Sequence, residues 1–319
     1  MIDASFFWED PLLLNEQLTE DERLVHHTVE RFAYEHLMPV IVDWNRQESF
    51  DKDFFLQFGE LGLLGGTIEG YGCPGLSHVA YGLVCRVFEG VDTAFRSAIS
   101  VQSGLAMAPI YLFGSEEQKR EFLPVMAKGE IIGCFGLTEP DFGSFVTGMR
   151  TRAERRGNSW VLRGTKRWIT NGSVAQLAII WANTDDGVRG FVVETDRPGF
   201  EARDIKGKFS LRASVTSELF LEDVEVPETN LLPDAIGIGA PLSCLNQARY
   251  GIAWGAIGAA MACYDEVLEY TKERVVQGGP LAGKQLTQEK LVFMLTEITK
   301  SQLLALHVGR LKDSGDLHH

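Results

Sequence analysis

The 319-residue sequence has no Cys-x-x-Cys pair, and its five cysteines (Cys73, Cys85, Cys134, Cys244 and Cys263) are odd in number and widely spread. That spacing argues against a disulfide framework and for a reducing compartment. The seven histidines form no His-Glu-x-x-His, so no metal is expected, and His26 and His27 read as polar positions on a helix. A Walker sequence and a Gly-x-Ser-x-Gly elbow are both missing. A nicotinamide-binding Rossmann unit is not expected either. Basic residues are scarce, 30 against 44 acidic, for a formal net charge of −14. Nucleic acid, whose phosphates need a basic face, is therefore excluded as a partner. A small anionic ligand is not, because a few local cations suffice for it. Met1-Ile2-Asp3-Ala4-Ser5 offers neither a basic start nor an apolar run, so no secretory signal is expected. The uncharged stretch Tyr250–Tyr264 is too short for a bilayer and rich in Gly and Ala; it reads as a buried helix, and no membrane span is expected.

What is present is a well-mixed globular composition, 45% hydrophobic and 23% charged, on a chain long enough for a large core and two or three structural units. Thr19-x-x-Glu22 is a capping box. Leu24, Val25, Val29, Phe32, Ala33 and Leu37 follow it at helical spacing, until Pro39 kinks or ends the helix. Further helices are expected over Ser77–Gly90, over Thr93–Phe113, and after the second capping box Ser115-x-x-Gln118, with Gly129 as its stop. Near Cys134 the texture changes to short strand-like runs at Trp160–Leu162, Leu177–Trp181, Gly190–Val193 and Leu219–Leu221. These do not alternate with helices, so an antiparallel sheet or barrel is expected rather than a parallel one. Pro227, Pro233, Gly237 and Gly239 mark an exit linker. Helical periodicity then returns over Ala240–Lys272, breaks at Gly278–Pro280, and resumes over Thr287–Leu311. The fold class is α+β. A helical domain (1–133) precedes a β-domain (134–238) and an incomplete helical bundle (239–319).

Four segments could carry chemistry. Arg96 lies on a helix that is small and apolar on most faces, with no further charge until Glu116. Such a charge either snorkels to solvent or meets an anion in a cavity. Cys134–Pro140 followed by Gly143-Ser144 reads as a strand with an ordinary loop exit, or as a cluster of N–H groups and hydroxyls for a polar heterocycle or phosphate. Trp168 and Thr170, before the turn signal Asn171-Gly172, could stack on and hydrogen-bond a planar cofactor; a core Trp is the plainer reading. Asn246–Gly251 opens the long helix with polar groups that could reach a ligand, while Gly251, Gly255 and Gly258 could simply permit close packing.

Taken together, these segments carry a resemblance. Cys134–Pro140, Trp168–Asn171, Gly207–Ser214 and Ala248–Gly255 are similar to signatures of the acyl-CoA dehydrogenase family. Trp8–Leu12, Phe95–Ser103, Thr296–Thr299 and Gly309–Asp313 resemble its glutaryl-CoA dehydrogenase branch. The resemblance runs from about Phe7 to Asp313. It implies the same α–β–α order, FAD as cofactor, a homotetramer, and electron-transfer flavoprotein as electron acceptor. It further implies a place in lysine and tryptophan degradation, in bacterial cytoplasm or mitochondrial matrix.

By that resemblance Phe135, Leu137, Thr138 and Ser144 would contact the cofactor, and Trp168, Ile169 and Thr170 would cover the flavin ring. Arg274 and Gln285 would reach the pyrophosphate and adenosine side of a neighbouring subunit's FAD. Ser144, Leu242, Asn246 and Arg249 would touch the acyl-CoA, and Arg96, with Ser97 and Ser100, would hold the distal carboxylate of glutaryl-CoA. The implied reaction removes the α-proton to a carboxylate, passes the β-hydride to flavin N5 and releases CO₂ to leave crotonyl-CoA. The family's glutamate base lies in a Tyr-Glu-Gly-Thr stretch that these 319 residues do not contain, so no catalytic residue is assigned. Two positions differ from the family pattern: Phe145 after Gly143-Ser144, and Gln277-Gly278 after Arg274. Three functions follow as expectations. They are a glutaryl-CoA dehydrogenase-like enzyme, a pseudoenzyme or acyl-CoA-binding assembly protein of the same fold, and a short-chain acyl-CoA dehydrogenase.

Overall fold

The computed structural model describes residues 7–317; the N-terminal segment read above for a signal lies outside them. Thr19 and Glu22 close the expected capping box and start α1 (Glu20–Phe32). Pro39 does not stop the chain's helical course. A π-helical turn at Ala33–Leu37 leads straight into α2 (Met38–Gln47), so the helical rod continues past Pro39, with the irregular turn lying just before it. After α3 (Phe54–Glu60) comes Gly70–Gly75, which does spell Gly-x-Gly-x-x-Gly; a helix rather than a strand precedes it, so it is a loop and not a dinucleotide fingerprint. Ser77 caps α4 (His78–Val91). The next helical rod comprises α5 (Thr93–Ser100), a π-helical stretch at Val101–Met107, and α6 (Ala108–Phe113). A second capping box, Ser115 with Gln118, opens α7 (Glu116–Ala127), and Gly129 follows it at φ 75°, the left-handed stop expected.

The strands are β1 (Gly133–Gly136), β2 (Arg152–Arg156), β3 (Ser159–Thr170), β4 (Leu177–Thr184), β5 (Gly187–Glu194), β6 (Phe200–Asp204), β7 (Thr216–Pro227) and β8 (Leu231–Ile236). Their order in the sheet is β6-β7-β3-β2-β4-β5-β8. The pairing is mainly antiparallel, with two exceptions to the expectation: β1 runs parallel to β4, and β2 meets β4 in parallel at Arg152 and Asn183. The expected exit linker is also corrected. Pro227 ends β7, and Pro233 lies inside β8, which among the described residues pairs only with β5 and so tolerates a missing N–H at the sheet edge. Two helices end the chain, α8 (Gly239–Glu273) and α9 (Gln285–Asp313), joined through a short hairpin of β9 (Val275–Val276) and β10 (Gly279–Pro280).

The chain divides into two compact units that interleave along the sequence. One comprises Met1–Pro39, Ser77–Arg96 and Gly251–His319; the other comprises Val40–Leu76 and Ser97–Tyr250. The second unit holds the sheet. Its core joins Met107, Ile110 and Leu123 of the helices to Phe135, Ile179, Trp181 and Val192 of the strands. In the first unit α4 and α8 meet through glycines. A Cβ on Gly258 would lie 1.8 Å from the Arg86 carbonyl oxygen, and one on Gly82 2.4 Å from the Trp254 ring. The close-packing reading of Gly258 is therefore the correct one. Arg86 is buried there and donates to Gln302 Oε1 at 2.7 Å and His26 Nε2 at 3.0 Å. His26 is thus a polar position on α1, as expected, and in addition a partly buried acceptor. Burial, and next the Arg86 charge, push its imidazole down to about 3. His26, His27 and Glu30 bring ligand atoms within 4.8 Å of one another, but a guanidinium already faces them. Among the described residues α9 is the helix long and apolar enough to cross a membrane, a stretch not singled out by the Tyr250–Tyr264 reading.

Candidate functional site

In the sheet-bearing unit, two motifs that are 30 residues apart in sequence lie side by side. The Arg167 N–H donates to the Thr138 carbonyl at 2.9 Å and ties the end of β1 to β3. Phe135, Leu137 and Ile169 turn their side chains into the core, so backbone is what they present outward. Trp168 does the opposite and is 53% exposed. The cause is a bulge. Lys166 pairs with Leu219 and Ile169 with Ser217, so Arg167 and Trp168 together face the single residue Glu218. Trp168 takes φ 62° there, a left-handed conformation that costs a non-glycine residue on the order of 1–3 kcal/mol.

Strain at an exposed aromatic fits a surface built for a planar ring. The polar groups agree: among the described residues the Thr138 N–H and the Thr170 hydroxyl have no hydrogen-bond partner. An exposed stacking face, an amide donor and a hydroxyl thus lie on two segments joined by the Arg167–Thr138 bond, groups suited to a planar polar ring. Ser144 is exposed in the loop after β1, next to Phe142 and Phe145, whose rings pack at 6.3 Å. Leu242, Asn246 and Arg249 share one face of α8 at i, i+4 and i+7, and Arg249 donates to Asn246 Oδ1 at 2.9 Å. Ser97 and Ser100 are buried on α5.

In the other unit Arg96 is 7% exposed, so it does not snorkel. It meets an anion of its own chain. Its Nε donates to Glu89 Oε2, and the Thr93 hydroxyl donates to Glu89 Oε1 at 2.7 Å. Gly255 leaves the room for this arrangement, since a Cβ there would lie 2.6 Å from Glu89 Oε2 and 3.3 Å from Arg96 Nε. Among the described residues neither Nη group of Arg96 has an acceptor. Glu89 carried no sequence signal beyond a spacing of seven, across the break at Asp92. Arg274 and Gln285 are both exposed and flank the same hairpin, one just after α8 and the other at the start of α9.

Three family models match in succession: the acyl-CoA dehydrogenase N-terminal domain over residues 19–130, the middle domain over 134–224 and the C-terminal domain over 236–319. The chain belongs to the acyl-CoA dehydrogenase family, a family of oxidoreductases. Within it, the chain is 52% identical to a glutaryl-CoA dehydrogenase from Mycobacterium smegmatis solved in complex with FADH2, with a TM-score of 0.93 over 95% of this chain and 78% of that one. A probable acyl-CoA dehydrogenase of Bacillus subtilis is 36% identical over 94% of this chain and 81% of its own length. The mouse mitochondrial short-chain specific acyl-CoA dehydrogenase is 33% identical over 93% and 74%.

Proposed function

We propose that the chain is a FAD-dependent dehydrogenase acting on glutaryl-CoA. Arg96 carries this reading: a buried guanidinium on an apolar helix, held at Nε by Glu89, with both Nη groups free for a second carboxylate. Glu89 already balances one unit of charge. Selection of a dicarboxylic thioester therefore rests on the geometry of the Nη fork more than on net charge. The 52% identity to the Mycobacterium smegmatis enzyme supports the assignment.

In this reading Arg96 holds the far carboxylate of the substrate, with Ser97 and Ser100 on the same helix. Ser144, Leu242, Asn246 and Arg249 contact the acyl-CoA. The backbone of Phe135, Leu137 and Thr138, together with Trp168, Ile169 and Thr170, holds the flavin ring, and Arg274 and Gln285 serve the pyrophosphate and adenosine side of a neighbouring subunit's cofactor. The flavin, when bound, accepts the hydride leaving the β-carbon. Hydrogen bonds to the thioester carbonyl stabilise charge that develops as the α-proton leaves, roughly 2.7–4 kcal/mol per donor. Release of CO₂ completes the conversion to crotonyl-CoA. No residue of the 319 is assigned as the base.

Electron-transfer flavoprotein is proposed as the acceptor and a homotetramer as the assembly. Tyr270 on α8, Val275 on β9 and Leu286, Val292, Phe293 and Leu304 on α9, all large exposed apolar residues, support the assembly. Three domains, 1–133, 134–238 and 239–319, are proposed as its modular division.

The test is a titration of the FAD-loaded chain with glutaryl-CoA and with butyryl-CoA, followed through the flavin spectrum. Glutaryl-CoA is expected to perturb or bleach the flavin at the lower concentration. Equal affinities would move the assignment to a short-chain acyl-CoA dehydrogenase. Purified chain unable to take up flavin would favour an acyl-CoA-binding or assembly protein of the same fold.

A further inference from the structure

Lys166 is fully buried, and the Glu139 carboxylate beside it is 5% exposed. Its Nζ donates to Glu139 Oε1 at 2.9 Å and to the Leu137 carbonyl at 3.2 Å. Glu139 also accepts the Arg150 N–H at 2.7 Å and the Thr151 N–H at 2.9 Å. The stem of Lys166 runs over Gly136, where a Cβ would lie 3.2 Å from Lys166 Cγ and 2.7 Å from Ile180 Cδ1. A buried ion pair of this kind adds little net stability over an apolar pair of similar volume, so stability alone does not account for it. What it does fix is geometry at the end of β1.

A peptide unit is planar and trans, so its C=O and N–H point in opposite directions. The Leu137 carbonyl is drawn inward by Lys166, and the N–H of the same unit, that of Thr138, must therefore point away from Lys166. The Thr138 carbonyl is taken by the Arg167 N–H at 2.9 Å. Both flanks of the Thr138 amide are thus held, and the amide itself is left without an acceptor among the described residues. We propose that Lys166, braced by Glu139, is a positioning residue that aims the Thr138 N–H at the bound flavin. This rests on the functional reading given above. Lys166 never touches the flavin in this scheme; it acts through the Leu137–Thr138 peptide.

The decisive variant is the charge-neutral pair Lys166→Met with Glu139→Gln. It preserves volume, keeps one of the two side-chain oxygens that the Arg150 and Thr151 amides use, a loss the single variant shares, and removes the bond to the Leu137 carbonyl. Glu139→Gln alone, which keeps that bond, is the comparison. Each protein is melted without FAD, then titrated with FAD by fluorescence quenching, and its visible flavin spectrum is recorded. The double variant is expected to fold, to bind FAD about tenfold more weakly, and to show a shifted flavin band. The single variant is expected to bind within about threefold of the parent, with an unshifted band. A folded double variant with parental affinity and spectrum overturns the proposal while leaving the flavoenzyme reading intact. A double variant that does not fold, beside a single variant that folds and shows the weakened binding and shifted band, also overturns it, because the Leu137 bond would then not be the feature that matters. A parent chain that binds no FAD overturns both readings.

Discussion

The Arg167 guanidinium lies 5.2 Å from the centre of the Trp168 ring while its Nη1 donates to Glu218 Oε1 at 2.8 Å. One face of the half-exposed indole is thereby occupied by a neighbour on its own strand. This arrangement, with the left-handed backbone at Trp168, makes the ring a held platform and not a core residue.

That distinction predicts the behaviour of Trp168→Gly. Glycine adopts φ 62° without strain, so the flavin-free protein should lose no more than about 1 kcal/mol and could gain as much. FAD affinity should fall by about tenfold or more as the stacking face is lost. Melting without FAD and a flavin titration check both halves. A flavin-free loss above about 3 kcal/mol, the range of a core aromatic, would show that the ring supports the fold instead.

Arg96→Ala should weaken glutaryl-CoA binding about 10- to 100-fold, the worth of a charged hydrogen bond in a dry site, and change butyryl-CoA binding by less than about threefold. Glu89→Gln retains an acceptor for Arg96 Nε while its NH2 group can donate to the Thr93 hydroxyl, which then accepts, and should therefore show a smaller glutaryl-specific loss. Apparent KM or dissociation constants for both thioesters decide the matter. Equal effects on the two would refute the carboxylate role.

Gly258→Ala should destabilise the protein by about 1–3 kcal/mol or more, because the new methyl would meet the Arg86 carbonyl, which cannot rotate away as a side chain would. Gly283→Ala, whose Cβ would meet nothing closer than 3.8 Å, should be close to neutral. Thermal midpoints of the two variants give the comparison.

His26 makes the fold sensitive to mild acid. Its imidazole titrates near 6.5 in the unfolded chain and near 3 when folded, because burial and then Arg86 disfavour the cation. Between these values the unfolded chain binds the extra proton, so stability is complete above pH 6.5 and declines as pH falls toward 3. The loss between pH 7 and pH 5 should be about 1–2 kcal/mol for the parent. It should be smaller in His26→Asn when both are followed by urea titration. An unchanged slope in the variant would remove His26 from the explanation.

Local chemistry made much of the helical part legible. Thr19 with Glu22, and Ser115 with Gln118, are capping signals read within four residues, and each box is formed. Pro39 reads as kinking or ending its helix; the helical course does not end there but passes through a π-helical turn just before the proline, which side-chain periodicity does not reveal. Pro233 misled in the other direction: the prolines of an edge strand and of a linker look alike until strand order is known. The parallel pairing of β1 with β4 depends on a long-range return of the chain and left no local mark. At the site, Arg96 stood out as a charge among apolar neighbours. Glu89 and Glu139 did not, because acidic residues are common along this chain and their partners lie across turns or on other elements.

The extra residue in β3 reverses the alternation of the strand. Leu162 and Lys166 face inward ahead of it, and Ile169 and Asn171 after it. Shortening the strand by one position at Arg167 or Trp168 would restore a regular ladder: a single residue would then face Glu218, and Ile169 would stay opposite Ser217 and inward. What would be lost is the left-handed bulge position that carries the indole outward. The length of this segment therefore sets the exposed platform as much as the identity of its side chains does.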